Sequence, residues 1–365
     1  MLNLSRYRHT SWAITACASA IVALGLAFIY SASLGMGEGA GSAYVARQAA
    51  WAAIGLAAAA LLAATDYRRL ASSAYLLYGA CILVLVLLLA ASDARRGARS
   101  WFSIGSFAVQ PSEFAKIVLI LALARYLSRE DASRRSASYL GGALLLAGVP
   151  VALILREPDL GTALVFAPVI LAMLLVAGAR RSYLSGILLT GLLSLPAGWL
   201  LLKPYQKLRI KVFLDPRLDP LRAGYNAIQS RIAVGGGGVW GQGWLHGTQT
   251  HLRFLPERHT DFIFCVLAEE AGFLGCALLL ALYATIIFAG LRIAEQARDE
   301  FGKLAAVGIT VLLAAHVVIN IGMTIGLLPI TGLPLPLMSY GGSSLVGTCI
   351  SLGVLQSISA RRYVF

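Results

Sequence analysis

Four clusters of ionisable side chains sit inside or at the edges of long apolar runs, where a charge is costly and every charged group is a candidate for function. The first is Gln110-Pro111-Ser112-Glu113, with Lys116 three residues further on. A helix beginning near Pro111 puts Glu113 and Lys116 on one face at i,i+3, where they neutralise each other. A structural ion pair tying that helix to a neighbour is the competing reading. The second cluster, Arg156-Glu157-Pro158-Asp159, alternates in sign and reads as a solvated turn. The third runs from Leu255 to Phe264 and holds Glu257, Arg258, His259, Thr260 and Asp261 where a polar loop becomes an apolar helix. Thr260 or Asp261 would serve as a helix cap and complement the dipole. Capping needs one such residue and leaves its charged neighbours unexplained, so the crowding favours chemistry. The fourth is Glu269-Glu270, well inside the apolar run that follows. Adjacent acids at that depth face protein or water, either as packing or as support for a site.

Other patterns are weaker. Gly235 to Gly238, followed by Gly241 and Gly243, lacks the Gly-Lys-Ser/Thr of a phosphate-binding loop. His246, His251 and His259 share a loop without a recurring ligand spacing, which argues against a zinc site. Gly322 and Gly326 have the spacing of a helix-packing face. The stretch Gly332 to Ser344, with Pro334, Pro336, Ser339, Tyr340 and Ser343, interrupts the end of a span with irregular backbone and hydroxyls. Membranes tolerate such backbone only where protein or a cavity covers it. A basic loop, a carboxylate at the membrane–water boundary and a polar break in the last spans suit an anionic, lipid-linked substrate. Its tail would lie among the spans and its phosphates would meet Lys and Arg.

The elements that must hold these residues are membrane helices. Of the 365 residues, 58% are apolar and 13% charged, about half the charge of a soluble chain, and the mean hydropathy is +0.77. Ten apolar runs near the ~20 residues that cross a bilayer are predicted at about 12–34, 44–64, 70–91, 108–127, 139–156, 159–178, 182–202, 261–291, 303–325 and 342–360. The expected fold is therefore all-α, a single polytopic membrane domain over 1–365 with one large external loop, 203–260. Soluble domains, nucleic-acid modules and coiled coils are excluded, and neither strand alternation nor an internal repeat is evident.

The net charge of +13 has a simple source, because cytoplasmic loops of membrane proteins are rich in Lys and Arg. Segments on the side of the N-terminus hold fifteen cations against six acids, which places both termini in the cytoplasm. Nine further cations lie in the 203–260 loop, and long loops weigh little in orientation. That loop also has glycines, aromatics and Asp-Pro pairs, which suit a re-entrant or surface-hugging segment. Arg6 and Arg8 before the first run, without a credible cleavage site, indicate a retained first span. The five cysteines fall in apolar stretches without CxxC spacing and read as small core residues.

The sequence resembles the SEDS family (shape, elongation, division and sporulation proteins) over essentially its whole length. The resemblance rests on Gln110 to Lys116, Gly243 to Gln249, Phe254 to Phe264, and Thr331 to Pro336 running into Ser339 to Ser344. The wording of the second and third motifs favours the elongation branch over the division branch. The resemblance implies a peptidoglycan glycosyltransferase of the bacterial inner membrane that polymerises lipid II from the periplasmic side. It implies Asp261 as the essential acid, Glu113 and Lys116 as a supporting ion pair, and partnership with a class B penicillin-binding protein and other elongation-complex membrane proteins. Such an enzyme needs cations on the leaving diphosphate. Lys207, Arg209, Arg253 and Arg258 are the candidates, Ser343 is a further substrate contact, and a divalent ion such as Mg2+ or Mn2+ would share the task. Many relatives have Arg immediately before the Trp of the loop ahead of Pro111, whereas this chain has Ser100 before Trp101 and Arg99 one place earlier. A lipid II flippase and a non-catalytic scaffold are the alternatives; polar motifs concentrated on one side favour the polymerase.

Overall fold

A computed structural model of the chain describes residues 11–34, 39–91, 101–104, 107–129, 136–157, 159–220, 223–252 and 254–362. The first half contains α1 (Trp12–Ser33), α2 (Ala40–Ala64), α3 (Tyr67–Ala91), a hairpin of β1 (Phe102–Ile104) and β2 (Phe107–Val109), α4 (Pro111–Leu127), α5 (Ala137–Arg156) and α6 (Leu160–Val176). The second contains α7 (Arg181–Leu201), α8 (Pro204–Leu214), α9 (Ala223–Gly236), the single turn α10 (Thr248–His251), α11 (Ile263–Glu295), α12 (Glu300–Thr324) and α13 (Gly342–Ala360). Eight of these helices are long and apolar enough to cross a membrane. The 17-residue α4 and α6 complete the expected ten.

The spans are not equivalent. Buried residues make up 78% of the apolar stretch of α12 and 83% of that of α13, against none for α7. The last two helices are thus the core of the bundle, α13 packed along α2 and α12 against α4, α6 and α11, while α7 turns its leucines outward. Ser11 and Gln356 exchange hydrogen bonds of 3.0 and 2.9 Å, so the start of α1 and the end of α13 share one end of the bundle. At that same end Arg68 pairs with Asp299 at 3.5 Å and Arg361 with Asp66 at 3.8 Å.

Three expectations are corrected. Strands do occur: Phe102 pairs with Val109 and Ile104 with Phe107, antiparallel. Runs of three residues are too short to show alternation, and the fourth span starts at Pro111, where proline suits the first helical turn. The 203–260 segment is expected as an irregular loop, yet much of it is helical. There α8 and α9 bury Val212 and Ala233, and α9 packs on α11 and α12. Gly322 and Gly326 form no helix-packing face. Gly326, at φ +81°, ends α12, and Leu327 and Leu328 donate their N–H groups back to the Gly322 carbonyl.

The length of α11 also has a local cause. Gly272, at φ 64° and ψ −161°, breaks it, leaving 273–295 as a span of about 34 Å at 1.5 Å per residue and freeing 263–271 to turn aside. The glycine run fills the break. Gln242 and Gly243 donate N–H groups to the carbonyls of Glu269 and Glu270, and Phe273 returns one to Gly238. A β-carbon on Gly237 or Gly241 would run into the backbone of α11. Close approach of two backbones explains those glycines.

Candidate active site

The residues 256–262 form a coiled turn ahead of α11. Glu257 takes a left-handed φ of 50°, and its carbonyl collects the N–H groups of Thr260, Asp261 and Phe262. Non-glycine residues held in that region concentrate at functional sites. Phe262, not Thr260 or Asp261, occupies the cap position of α11, and no side chain caps it. The capping reading therefore fails, and the Asp261 carboxylate is left for another task.

The turn is held from behind. Its three consecutive carbonyls each accept a bond from a different group: His259 from the Tyr340 N–H at 2.9 Å, Thr260 from the Ser339 hydroxyl at 2.5 Å, and Asp261 from Asn320 Nδ2 at 2.9 Å. The Asp261 carboxylate projects beside Gly332, where a β-carbon would come to 3.3 Å of Oδ2. Burial, with the charge of Glu257 adding to it, pushes the Asp261 carboxyl up to about 6, outweighing the Thr260 hydrogen bond and the Arg209 charge. His259 packs between Tyr44 at 4.9 Å and Tyr340 at 5.6 Å, and burial holds it below the ordinary imidazole value.

The predicted cations separate. Arg209, on α8, is exposed, rests over Tyr205 and acts on Asp261 through its charge. Lys207, two residues earlier and so on the opposite side of the same helix, is half-buried, and its Nζ reaches the Leu200 carbonyl at 3.5 Å. Arg258 is 4% exposed and its Nε donates to the Ala32 carbonyl at 2.5 Å. It clasps the end of α1 and does not point toward solvent. Ser343 is buried, its hydroxyl accepting from the Gln110 N–H at 3.0 Å, so it joins the start of α4 to α13. Arg253, Arg99 and Ser100 lie outside the described residues.

Glu113 and Lys116 form the expected pair, buried, at 2.8 Å. Lys116 Nζ also lies 2.9 Å from His316 Nε2 on α12. An ammonium only donates, so that nitrogen accepts. A cavity of about 30 Å³ borders the three side chains together with Pro336, Thr348 and Ser351, room for a water. The turn reading of Arg156, Glu157 and Asp159 holds only in part: Arg156 is exposed and Asp159 half-buried, but Glu157 is not solvated. Glu157 is fully buried, and burial, reinforced by Asp159, raises its carboxyl to about 8. Asp159 caps α6 through the Thr162 N–H at 2.9 Å and accepts from Gln110 at 3.2 Å. The alternating signs concealed a helix cap.

The two adjacent glutamates organise the glycine-rich loop. Glu269 accepts from the Gln249 N–H at 2.7 Å and from the Thr250 N–H and hydroxyl at 3.2 and 2.8 Å. Glu270 accepts from the Leu245 N–H at 3.2 Å and from the Ser31 hydroxyl. They act as anchors for 243–250. The 331–341 segment dips into the bundle and is covered as irregular backbone in a membrane must be. Met338 lies against Gly25 of α1, Gln48 bonds Ser339 and Gly341, and the Tyr283 hydroxyl donates to Pro336 at 2.5 Å.

His316 and Asn320 escaped the sequence reading, which screened for formal charge. The available signal was a histidine and an asparagine one helical turn apart in an otherwise apolar span. Among the described residues, no three His, Cys, Asp or Glu side chains gather into a metal-holding group.

The cell cycle protein family model FtsW/RodA/SpoVE matches residues 11–364. The peptidoglycan glycosyltransferase MrdB of Escherichia coli is 43% identical over 311 residues, 85% of this chain and 84% of the relative. The peptidoglycan glycosyltransferase RodA of Treponema pallidum is 35% identical over 417 residues, 94% of this chain and 96% of the relative. A solved chain, described under the structural coordination of polymerization and crosslinking by a peptidoglycan synthase complex, superposes with a TM-score of 0.82 at 36% identity. The match covers 98% of this chain and 99% of the other. With four motifs, ten helices and near-complete matches in agreement, this chain belongs to the FtsW/RodA/SpoVE family, the SEDS proteins.

Proposed function

We propose that this protein is a peptidoglycan glycosyltransferase that polymerises lipid II during cell elongation, with Asp261 as general base on the periplasmic face of the inner membrane. The observation that carries the assignment is the Asp261 carboxylate itself. It is bound at its backbone and left out of helix capping. Its pKa of about 6 lets it be ionised at neutral pH while retaining more affinity for a proton than an ordinary aspartate.

In the reaction, the 4-hydroxyl oxygen of one GlcNAc forms a bond to the anomeric carbon of the other saccharide. The bond from that carbon to the undecaprenyl diphosphate breaks, and the diphosphate leaves with the electron pair. Asp261 takes the hydroxyl proton as the new bond forms. Arg209 on α8, whose charge already reaches Asp261, meets the charge that grows on the diphosphate, stabilising the transition state more than the ground state, while Lys207 lies on the opposite side of α8 beside the Leu200 carbonyl. Arg258 drops out of this role, because its guanidinium is committed to α1. Glu257 and Asp261 are the carboxylates of this turn that would hold a Mg2+ or Mn2+ ion, which would supply charge neutralisation on the diphosphate, and no step here depends on one. The family relatives named as glycosyltransferases support the activity. The similarity to a chain of a peptidoglycan synthase complex supports a cross-linking class B penicillin-binding protein as partner.

The test is polymerisation of fluorescent lipid II by the full chain, alone and with that partner. Wild type yields glycan strands, and Asp261→Asn yields none while inserting normally. Strands from the Asp261→Asn protein would end the assignment. Lipid translocation in vesicles without strands from wild type would make the protein a flippase.

A further inference from the structure

Asn320 is a buried amide in the middle of the hydrogen bonds that join two motifs far apart in the chain. Its Nδ2 donates to the carbonyl of Asp261 at 2.9 Å and to the carbonyl of Leu333 at 2.7 Å. One side chain thereby uses both N–H donors, each on a backbone oxygen. One of these oxygens belongs to the residue that carries the carboxylate. The other belongs to the residue after Gly332, whose α-carbon that carboxylate faces. This one group thus bridges the backbone of the carboxylate-bearing residue and that of its wall.

Neighbouring bonds do a different job. Ser339 and Tyr340 hold Thr260 and His259, residues that precede Asp261, and both come from the same segment as Leu333. Asn320 comes from α12, the deeply packed core helix. It is the bond that references Asp261 to the rigid centre of the bundle. Residues that act by holding a reacting group in place carry large rate effects, since a displacement of about 1 Å can cost on the order of 100-fold.

We propose that Asn320 is a positioning residue for glycosyl transfer: its amide ties the backbone of Asp261 to Leu333 and to α12, so that the carboxylate meets the sugar hydroxyl in one fixed place. The inference rests on Asp261 being the base. Loosening the turn also gives the carboxylate more water. The charged groups that bear on it are Glu257 in its own turn and Arg209 on α8, and neither is touched by a change at Asn320.

The experiment measures lipid II polymerisation by the full chain with its partner, from pH 5 to 8, for wild type, Asn320→Leu, Asn320→Thr and Asp261→Asn. Asn320→Leu keeps the branching and number of heavy atoms and removes both donors; Asn320→Thr keeps one. The expected result for Asn320→Leu is a kcat lower by about 100-fold with KM within about threefold, and an acid limb displaced toward lower pH. Asn320→Thr falls between it and wild type and guards against misfolding of the leucine variant. A merely structural role would lower the folded fraction and leave the acid limb where it is, which overturns the inference. So would a kcat for both Asn320 variants within about twofold of wild type, with Asp261→Asn inactive. Activity in Asp261→Asn would instead overturn the base assignment.

Discussion

At the scale of single residues, the decisive feature is a carboxylate that the fold makes uncomfortable. The pKa of Asp261 stands near 6 instead of 3.8, chiefly through burial. A raised acid pKa means that ionisation is disfavoured in the folded state. The stability Asp261 contributes is full below pH 3.8 and lost as pH rises through about 6. Asp261→Asn should therefore melt a few degrees higher than wild type at pH 7.5, from roughly 1–3 kcal/mol of relieved desolvation. That gap should close as pH falls to 4. Thermal unfolding at both pH values checks this, and an unaltered or lower melting point at pH 7.5 would contradict it. Asp261 stands out in the sequence as a candidate because a charge cluster at a span boundary has few structural excuses. Arg258 was misread because sequence spacing does not say whether a guanidinium faces a substrate or a carbonyl of α1.

Among elements, α12 does the joining. His316 meets Lys116 of the Glu113–Lys116 pair, and Asn320, one turn on, meets Asp261. The supporting pair thus reaches the site through one face of one helix. Removing one partner of a buried pair leaves the other charge uncompensated, at about 3–5 kcal/mol. Lys116→Met and Glu113→Gln should each destabilise by that order, and the double variant should cost clearly less than their sum. Unfolding in detergent measures this, and strict additivity would show that the two groups act independently. Periodicity and length revealed the ten spans, because a bilayer dictates both. It could not reveal the break at Gly272, where a glycine fits without strain but any apolar residue would extend the same pattern. Nor could it show that the glycine run answers that break, since the two lie about thirty residues apart and meet only through backbone hydrogen bonds.

For the molecule as a whole, polarity is sorted between two ends. The ion pairs Arg68–Asp299 and Arg361–Asp66 mark one, while Asp261, the start of α4 and the 331–341 segment mark the other. On the cytoplasmic assignment of the first end, Trp240→Cys, at a side chain 81% exposed, should react with a membrane-impermeant maleimide from outside intact spheroplasts. Arg298→Cys should react only after permeabilisation. Both would be made in a chain lacking the five native cysteines, and the reverse pattern would invert the topology. The central claim, that an ionised Asp261 takes the proton from the sugar, is tested most directly by the pH dependence of kcat at saturating lipid II. The rate should fall tenfold per pH unit on the acid side, with a midpoint near 6. A rate that stays flat from pH 7.5 down to 4.5 would contradict it.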